Sequence, residues 1–245
     1  MNSEIVEHLR ARLRAPATPR TVPGSLPVLF FGDLYSASIA TVGLNPSNQE
    51  YTDKRGVLLS GARQRFATLD SLGAADRSAL TDAQCDEAIE WMRNYFGDGK
   101  PVYRWFNAHA RVTDGLGVSF KDGSAAHIDL VQESTYLTWS TLHETVHDEL
   151  LRSDLPFLRW QLSSFGLRAI ICTSKTVSRH IRSLFDIAIA DEGELALIKW
   201  WVGFTDLGEK RIGFAGWNYP LARPTGLGAD GERELGALLR EKLGV

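Results

Sequence analysis

The chain has 245 residues, a formal net charge of −3 and two cysteines, and 44% of its residues are hydrophobic. That balance is typical of a globular protein, and two cysteines are too few for a disulfide framework or a four-thiolate iron–sulfur cluster. We expect a cytoplasmic protein outside the membrane, because no apolar stretch reaches the roughly 20 residues of a membrane span and no signal peptide is evident. The small negative charge does not indicate DNA binding, which would require basic residues gathered on one face.

The N-terminal half is expected to contain helices, two strands and an irregular loop. Ser3 can cap a helix over residues 3–14, which the following prolines end. Residues 28–31 and 39–42 have the composition of strands, and residues 44–61 are rich in turn formers. Helical periodicity then covers residues 62–72, 81–96 and 103–112.

The C-terminal half alternates strands with helices. We expect strands at residues 126–131, 168–172, 200–205 and 210–215, and helices at 139–151, 155–165, 173–185 and 229–243. Strands separated by helices predict a mostly parallel sheet covered on both faces. The expected fold is therefore one α/β domain over residues 1–245, with three α/β/α layers around a four-stranded mostly parallel sheet. An extra N-terminal strand, a C-terminal hairpin and the packed helix 3–14 complete it.

One motif suggests a metal site. His143, Glu144 and His147 have the H-E-x-x-H spacing that can place two imidazoles on one helix face beside a glutamate base. Thr145 and Asp148 make the surroundings polar for a buried zinc helix, and the two histidines are expected on the flanks of an apolar stripe. A zinc hydrolase remains an alternative, which elemental analysis of the purified protein would decide.

Two loops are expected beyond the carboxyl ends of sheet strands, where open α/β sheets bind ligands. The first is Gly43-Leu44-Asn45-Pro46-Ser47, in which an amide can hold a water and a proline fixes the turn. The second is the proline-bounded segment 216–224, which carries Trp217, Leu221 and Arg223. An apolar tip beside a cation suits a wedge that enters a base stack.

These pieces, in this order, resemble the uracil-DNA glycosylase superfamily over about residues 27–243. The first family motif, Gly-x-Asp/Asn-Pro followed by a small residue or Tyr, matches residues 43–47. The second, His/Asn-Pro-Ser-x-Leu, has a divergent counterpart in Trp217-Asn218-Tyr219-Pro220-Leu221. The resemblance implies an enzyme that flips a base out of DNA and hydrolyses its N-glycosidic bond, without a metal or cofactor.

The resemblance also implies roles for single residues. Asn45 falls where the family positions its water, and an amide can orient a water but cannot take its proton. Asp129 falls where an Asn reads the base edge, and a carboxylate favours a base with an amino group. Trp217 replaces the expected leaving-group His, unless Asn218 takes that role.

The implied pocket is roomier than in relatives that exclude thymine. Ser47 occupies the position of a bulky Tyr in some members, and Leu59 stands where a stacking Phe is usual. Tyr51 or Phe66 could supply the missing ring.

The expected partner of this monomeric protein is DNA that contains a damaged or modified base. A catalytically silent DNA-binding relative is a further alternative. The expected DNA contacts are Pro46, Ser174, Lys175, Tyr219, Pro220, the wedge Leu221 and the trailing Arg223.

Overall fold

The computed structural model describes residues 3–18, 20–221 and 227–245. Its helices are α1 (Ser3–Arg14), α2 (Leu69–Leu72), α3 (Asp82–Arg93), α4 (Phe106–Leu116), α5 (Glu144–Ser164), α6 (Lys175–Leu184) and α7 (Gly228–Leu243). Its strands are β1 (Ile39–Gly43), β2 (Ala125–Asp129), β3 (Ala169–Cys172), β4 (Ala188–Leu195), β5 (Ile198–Leu207) and β6 (Lys210–Trp217). None of the described helices combines the length and the apolar character needed to cross a bilayer.

The strands form one mixed sheet in the order β2-β1-β3-β6-β5-β4. Strands β1, β3 and β6 are parallel neighbours, in which Val42 lies beside Cys172 and Cys172 beside Gly216. Because of this register, the chain leaves all three strands at the same edge of the sheet. Strand β5 is antiparallel to β6 and to β4. The α/β class and the C-terminal hairpin are confirmed, and the sheet has six strands where four core strands were expected.

The expected N-terminal strand is wrong. Residues 28–31 are fully buried but form no strand. Their polar backbone atoms are paired individually: the Val28 N–H donates to Gln132 O at 2.8 Å, and the Gln161 amide donates to Leu29 O at 2.7 Å. Burial of an extended segment therefore does not require a partner strand, provided that loop and side-chain groups satisfy its backbone.

The structure differs from the expected elements in three other places. In place of a helix over residues 62–72 the chain forms a 3₁₀ turn at Gly61–Arg63 and the short α2, because Thr68 caps a new helix there. The two helices expected between residues 139 and 165 are one, α5, which contains Pro156. Strand β4 was not expected, because its acidic residues hide the alternation typical of a strand.

The chain forms two compact units, each built from three chain segments. The first unit comprises Met1–Phe31, Leu44–Tyr103 and Asp129–Ser164. The second comprises Gly32–Gly43, Arg104–Ile128 and Phe165–Val245, and it holds the sheet except for Asp129, the last residue of β2. Each unit is described by itself below.

Helices cover both faces of the sheet in the second unit. Trp217 of β6 packs in a core cluster with Leu235 of α7, whereas the preceding Gly216 faces Ser178 of α6. Since successive residues of a strand point to opposite faces, α6 and α7 lie on opposite sides of the sheet. Helices α4 and α7 meet backbone to backbone at Gly236, where an added Cβ would lie 2.1 Å from the carbonyl oxygen of Val112.

Strand β4 forms an exposed edge of this sheet. Glu192 and Glu194 are exposed, and Asp191 pairs with Lys242 of α7 at 2.7 Å. A bulge between Ile189 and Asp191 interrupts the pairing of β4 with β5. Charges and bulges on an edge strand oppose the addition of another strand.

A buried ion pair lies at the centre of the first unit. The Arg77 guanidinium donates to both oxygens of Glu133, at 2.7 and 2.9 Å, and the Thr21 hydroxyl donates to the same carboxylate at 3.0 Å. The Glu133 side chain is fully buried. Burial by itself raises the pKa of Glu133, but the hydrogen bonds and charge of Arg77 outweigh it and hold that pKa below its ordinary value.

A second buried carboxylate extends this group. Asp154 of α5 accepts from Arg12 of α1 at 2.9 Å and from the Gln132 backbone N–H at 2.7 Å. Arg12 also lies 3.4 Å from Glu133. We call Arg12, Thr21, Arg77, Glu133 and Asp154 the Glu133 network. It fixes the backbone of residues 132 and 133 by contacts from three separate parts of the first unit.

We predict that Arg77→Met lowers the free energy of unfolding by about 3–5 kcal/mol, because it leaves a buried carboxylate without its main partner. Urea denaturation followed by circular dichroism measures this loss. The matched control is Arg233→Met, which removes an exposed pair with Asp230 and should cost no more than about 0.5 kcal/mol. Equal losses in the two variants would contradict the importance of the network.

Candidate functional site

The Asn45 side chain, two residues beyond the end of β1, is held by three acceptors of the first unit. Its amide nitrogen lies 3.2 Å from Pro46 O, 3.4 Å from Glu133 O and 3.2 Å from the Thr135 hydroxyl. Asn45 itself is half-buried. The Glu133 network therefore fixes one of the carbonyl groups that orient this amide.

The hydrogen bonds of Thr135 determine which end of the Asn45 amide faces outward. The Thr135 hydroxyl donates its hydrogen to Leu137 O at 2.7 Å, so towards Asn45 its oxygen acts as an acceptor. A reversed amide would place Oδ1 against the Pro46 and Glu133 carbonyl oxygens and is excluded. Oδ1 accepts no hydrogen bond from the described residues. It is also not one of their fully buried polar atoms that lack a partner, so part of its surface is accessible. It is positioned to accept a hydrogen bond from a water molecule.

The rest of this loop is braced in the same way. The Ser47 hydroxyl accepts from the Gln49 N–H at 3.2 Å and caps the 3₁₀ helix Asn48–Glu50. The Ser134 hydroxyl donates to Ser47 O at 3.1 Å, and Pro46 is buried. The Asn45 loop is therefore a rigid turn with a small, half-buried side chain at position 47.

Glu50 was missed from the sequence, because a glutamate in a run of turn formers is normally solvated. In the structure its side chain is 2% exposed. The Tyr95 hydroxyl donates to Oε2 at 2.8 Å, and the Tyr103 N–H donates to the Tyr95 oxygen at 3.1 Å. The guanidinium of Arg65 lies 3.9 Å from the same Oε2. Glu50 Oε1 makes no hydrogen bond to the described residues.

Burial raises the pKa of Glu50 to about 8, although the Tyr95 hydrogen bond and the Arg65 charge act in the opposite direction. The negative charge of Asp129 raises it further. Glu50 is therefore mostly a neutral acid at pH 7.

The other expected base-contacting residues of the first unit lie around an aromatic cluster. Tyr51 and Leu59 are neighbours, with the Leu59 N–H donating to Tyr51 O at 2.7 Å, and the Phe66 ring lies 5.6 Å from the Tyr51 ring. All three side chains are buried, as is Asp129. The Tyr51 hydroxyl is held by Leu26 O at 2.8 Å. The first unit thus brings Tyr51, Leu59 and Phe66 together.

In the second unit, Trp217 and Asn218 have different surroundings. The Trp217 ring is 1% exposed and belongs to the core, so it offers no accessible surface for a base. Asn218 is half-buried and its Oδ1 accepts from the Lys199 N–H at 2.9 Å. Because a backbone N–H can only donate, the orientation of this amide is fixed. Its Nδ2 donates to none of the described residues and can donate to a ligand.

The expected wedge lies in the core. Leu221 is 4% exposed and packs in the same cluster as Trp217. Tyr219 is 41% exposed and is the apolar side chain that this loop presents, while Pro220 is half-buried. Arg223 lies outside the described residues. A wedge at Leu221 would require the side chain to leave the core, whereas Tyr219 is already at the surface.

Ser174 and Lys175 lie where α6 begins. The Ser174 hydroxyl accepts from the Val177 N–H at 3.3 Å as the helix cap, and its own hydrogen is left to donate. Lys175 is exposed. A hydroxyl, a cation and the positive end of a helix dipole together suit a phosphate group.

A basic turn in the first unit was also missed. Residues 53–57, which we call the basic turn, connect the bridged pair Thr52 and Leu58. The Asp53 carboxylate accepts from the N–H groups of Arg55 and Val57 at 2.8 and 3.1 Å, which fixes the turn and lowers the pKa of Asp53. Lys54 and Arg55 are exposed at its tip. In the sequence, Lys54 and Arg55 directly after the turn former Asp53 could have indicated this exposed basic turn.

The H-E-x-x-H residues do not form a metal-binding face. His143 precedes α5, which begins at Glu144, and its ring nitrogen contacts the Thr145 hydroxyl at 2.9 Å. The His147 ring stacks on Trp139 at 4.4 Å and bonds its carbonyl oxygen at 2.8 Å. Within residues 3–18, 20–221 and 227–245, no group of three or more His, Cys, Asp or Glu side chains could hold a metal ion.

Comparison with known proteins adds no relative: no family model matches the chain, and no curated protein matches it significantly.

We predict that the stability of the wild-type protein, relative to Glu50→Gln, falls as the pH rises from 5 to 8. The folded state keeps the Glu50 proton up to about pH 8, whereas the unfolded chain loses it near 4.5. The folded state therefore binds more protons in this window, and its stability falls with pH by up to about 1.4 kcal/mol per unit. Urea denaturation of both proteins at several pH values measures the difference. Parallel curves would show that Glu50 is ionised in the folded protein.

Proposed function

We propose that this protein is a DNA glycosylase, which flips a damaged or modified base out of DNA and hydrolyses its N-glycosidic bond. The observation that carries the proposal is the fixed Asn45 amide, whose nitrogen is committed to protein acceptors and whose oxygen is left to orient a water. The resemblance of residues 43–47 to the first glycosylase motif supports the same role. We further propose that strands β2, β1, β3 and β6 are the four-stranded core of a three-layer glycosylase-like fold.

The proposed reaction follows from what an amide can and cannot do. The N-glycosidic bond breaks with its electron pair leaving on the base, and the water oxygen bonds to C1′ of the sugar. Asn45 Oδ1 accepts one hydrogen of that water and aims its oxygen, but it cannot remove the proton, which passes to the departing base or to solvent. Departure of the base therefore precedes attack, and bases that leave readily react fastest.

Stabilisation of the departing base is assigned to Asn218. Its Oδ1 is occupied by the Lys199 N–H, so its Nδ2 is the end that can donate to a developing anion. Trp217, buried in the core, is not assigned this role. Base selection is assigned to Asp129, and the small Ser47 leaves room for a substituent.

Contacts with the DNA backbone are assigned to Lys54 and Arg55, which are exposed on the basic turn, and to Ser174 and the exposed Lys175 at the start of α6. Arg223, which lies outside the described residues, is assigned the same role. Tyr219 is the proposed apolar side chain against the base stack, in place of Leu221. A net charge of −3 does not exclude DNA binding, because local cations attract phosphate groups whatever the sum of charges over the chain.

A catalytically silent relative that binds modified DNA is the second candidate. The observation that favours it is the amide at position 45, where a carboxylate would be the stronger base. It differs from the glycosylase in a single outcome, which is binding without an abasic product.

We predict that oligonucleotides containing a modified base yield alkali-labile abasic sites with the wild-type protein. The panel holds uracil, hypoxanthine, xanthine, thymine mismatches and bulky modified cytosines, and a non-uracil or modified base should react at least as well as uracil.

Asn45→Ala should cost at least about 10²-fold in cleavage with DNA binding retained. His147→Ala is the control and should cleave normally. Loss of activity and of a bound metal in His147→Ala alone would favour the zinc hydrolase instead.

We predict that DNA affinity falls steeply between about 50 and 200 mM salt, because bound phosphates release counterions. The double variant Lys54→Ala with Arg55→Ala should weaken binding to all sequences and reduce the slope of log K against log salt by about 1–2. Arg223→Ala should act in the same direction. The exposed Lys121→Ala is the matched control and should leave the slope unchanged. Binding that is insensitive to salt would indicate a partner other than DNA.

A further inference from the structure

Tyr136 and Leu137 form an exposed apolar pair beside the Asn45 loop. Each is 42% exposed, and among the described residues they are the only sequence neighbours that are both large, hydrophobic and exposed. Exposed apolar side chains that are scattered singly are ordinary on a protein surface. An adjacent aromatic and leucine next to a candidate site instead indicate a surface that contacts a partner.

The backbone under these two side chains is fixed by contacts with the Asn45 loop. The Tyr136 carbonyl oxygen accepts from Asn48 Nδ2 at 3.1 Å, and the Leu137 carbonyl oxygen accepts from the Thr135 hydroxyl at 2.7 Å. The same hydroxyl accepts from the Asn45 amide at 3.2 Å, so Thr135 contacts both the proposed water site and the exposed pair. The pair is therefore presented at a fixed place, and little backbone entropy is lost when it binds.

An exposed cation lies beside the pair. The Arg20 guanidinium donates to the Tyr136 hydroxyl at 2.7 Å, and the Tyr136 N–H donates to Arg20 O at 3.1 Å. Arg20 is exposed and forms no ion pair with an acid in the part of the chain that the structure describes. Its other N–H groups can therefore bind an anion such as a phosphate. We call Arg20, Tyr136 and Leu137 the Tyr136 surface.

An aromatic face beside a cation matches the chemistry of a nucleotide. A base offers a flat ring on which an aromatic side chain can stack, and its neighbouring phosphate carries a negative charge. A purely apolar partner would leave Arg20 without a counter-charge. A polyanion without rings would leave Tyr136 and Leu137 in water. A nucleic-acid strand satisfies both parts of the surface.

We propose that the Tyr136 surface is a nucleobase-stacking site, in which Tyr136 and Leu137 pack on an unpaired base of the bound strand and Arg20 binds a neighbouring phosphate. The proposal rests on the glycosylase function for DNA as the partner, and it names the part of the DNA that the first unit contacts. No residue of the Tyr136 surface belongs to either glycosylase motif. The surface holds the strand beside the Asn45 loop and has no part in bond cleavage.

The test compares two DNA duplexes of equal charge, one with bases at its unpaired positions and one without. Three unpaired central positions in one strand hold either 2′-fluoro thymidines, which resist cleavage, or tetrahydrofuran units, which have no base. Equilibrium binding is measured at several salt concentrations for the wild type, Tyr136→Ala, Tyr136→Phe, Leu137→Ala and Arg20→Gln. Leu197→Ala, which truncates a 73% exposed leucine of the second unit, is the matched control.

The wild type should bind the duplex with bases at least about 5-fold more tightly than the abasic duplex, because a stacked base stabilises the complex. Tyr136→Ala should lose this preference and Leu137→Ala should lose part of it, whereas Tyr136→Phe keeps the ring and should retain it. Arg20→Gln should retain the preference but reduce the slope of log K against log salt by about 1 for both duplexes. Leu197→Ala should behave as the wild type.

Equal affinity of the wild type for the two duplexes, no binding to either, or an unchanged preference in Tyr136→Ala would overturn the proposal. Cleavage of the modified-base panel on unmodified sugars is measured in parallel. Cleavage without a preference for bases refutes the stacking site and leaves the glycosylase intact. A preference that depends on Tyr136, without cleavage, supports the stacking site and refutes the glycosylase in favour of the silent relative.

Discussion

The contact between Arg77 and Glu133 is the constraint on which the first unit depends. A fully buried carboxylate is tolerated only where cations and donors compensate it, and here Arg77, Arg12 and Thr21 do so from separate parts of the chain. The backbone of residue 133 is fixed as a result, and its carbonyl oxygen is one of the groups that orient Asn45. The buried ion pair thus influences the proposed water site through one group, the backbone carbonyl of Glu133.

The Asn218 amide of the second unit is oriented by a different contact, the Lys199 N–H. A site without a strong base gains its selectivity from fixed donors and acceptors, because little chemical activation is available to compensate for a poorly held substrate. Asn45 and Asn218 are each held by backbone groups that allow one amide orientation only. Within its own unit, Asn45 is thus left with an amide oxygen as acceptor and Asn218 with an amide nitrogen as donor.

The sequence predicts best where a local signal coincides with the tertiary environment. Helix α3 carries a Thr81–Gln84 capping box, and β3 is a compact apolar run, so both were found within a few residues. Residues 28–31 are equally apolar, but no local signal shows that a loop carbonyl will pair with them. The turn that holds Asn45 was expected from its turn formers, and the role of Asn45 stays a prediction. The burial of Glu50 and of Leu221 was not expected, because it depends on residues distant in the sequence that cover each side chain.

The acidic edge of β4 has a consequence for how the protein behaves in concentrated solution. Glu192 and Glu194 are exposed along a strand whose outer backbone groups have no neighbouring strand in the sheet order. At neutral pH their charges repel the same edge of a second molecule. Replacing both glutamates by neutral residues would remove this repulsion and leave the outer backbone groups of β4 in place, so the cost of such a change would be self-association through this edge.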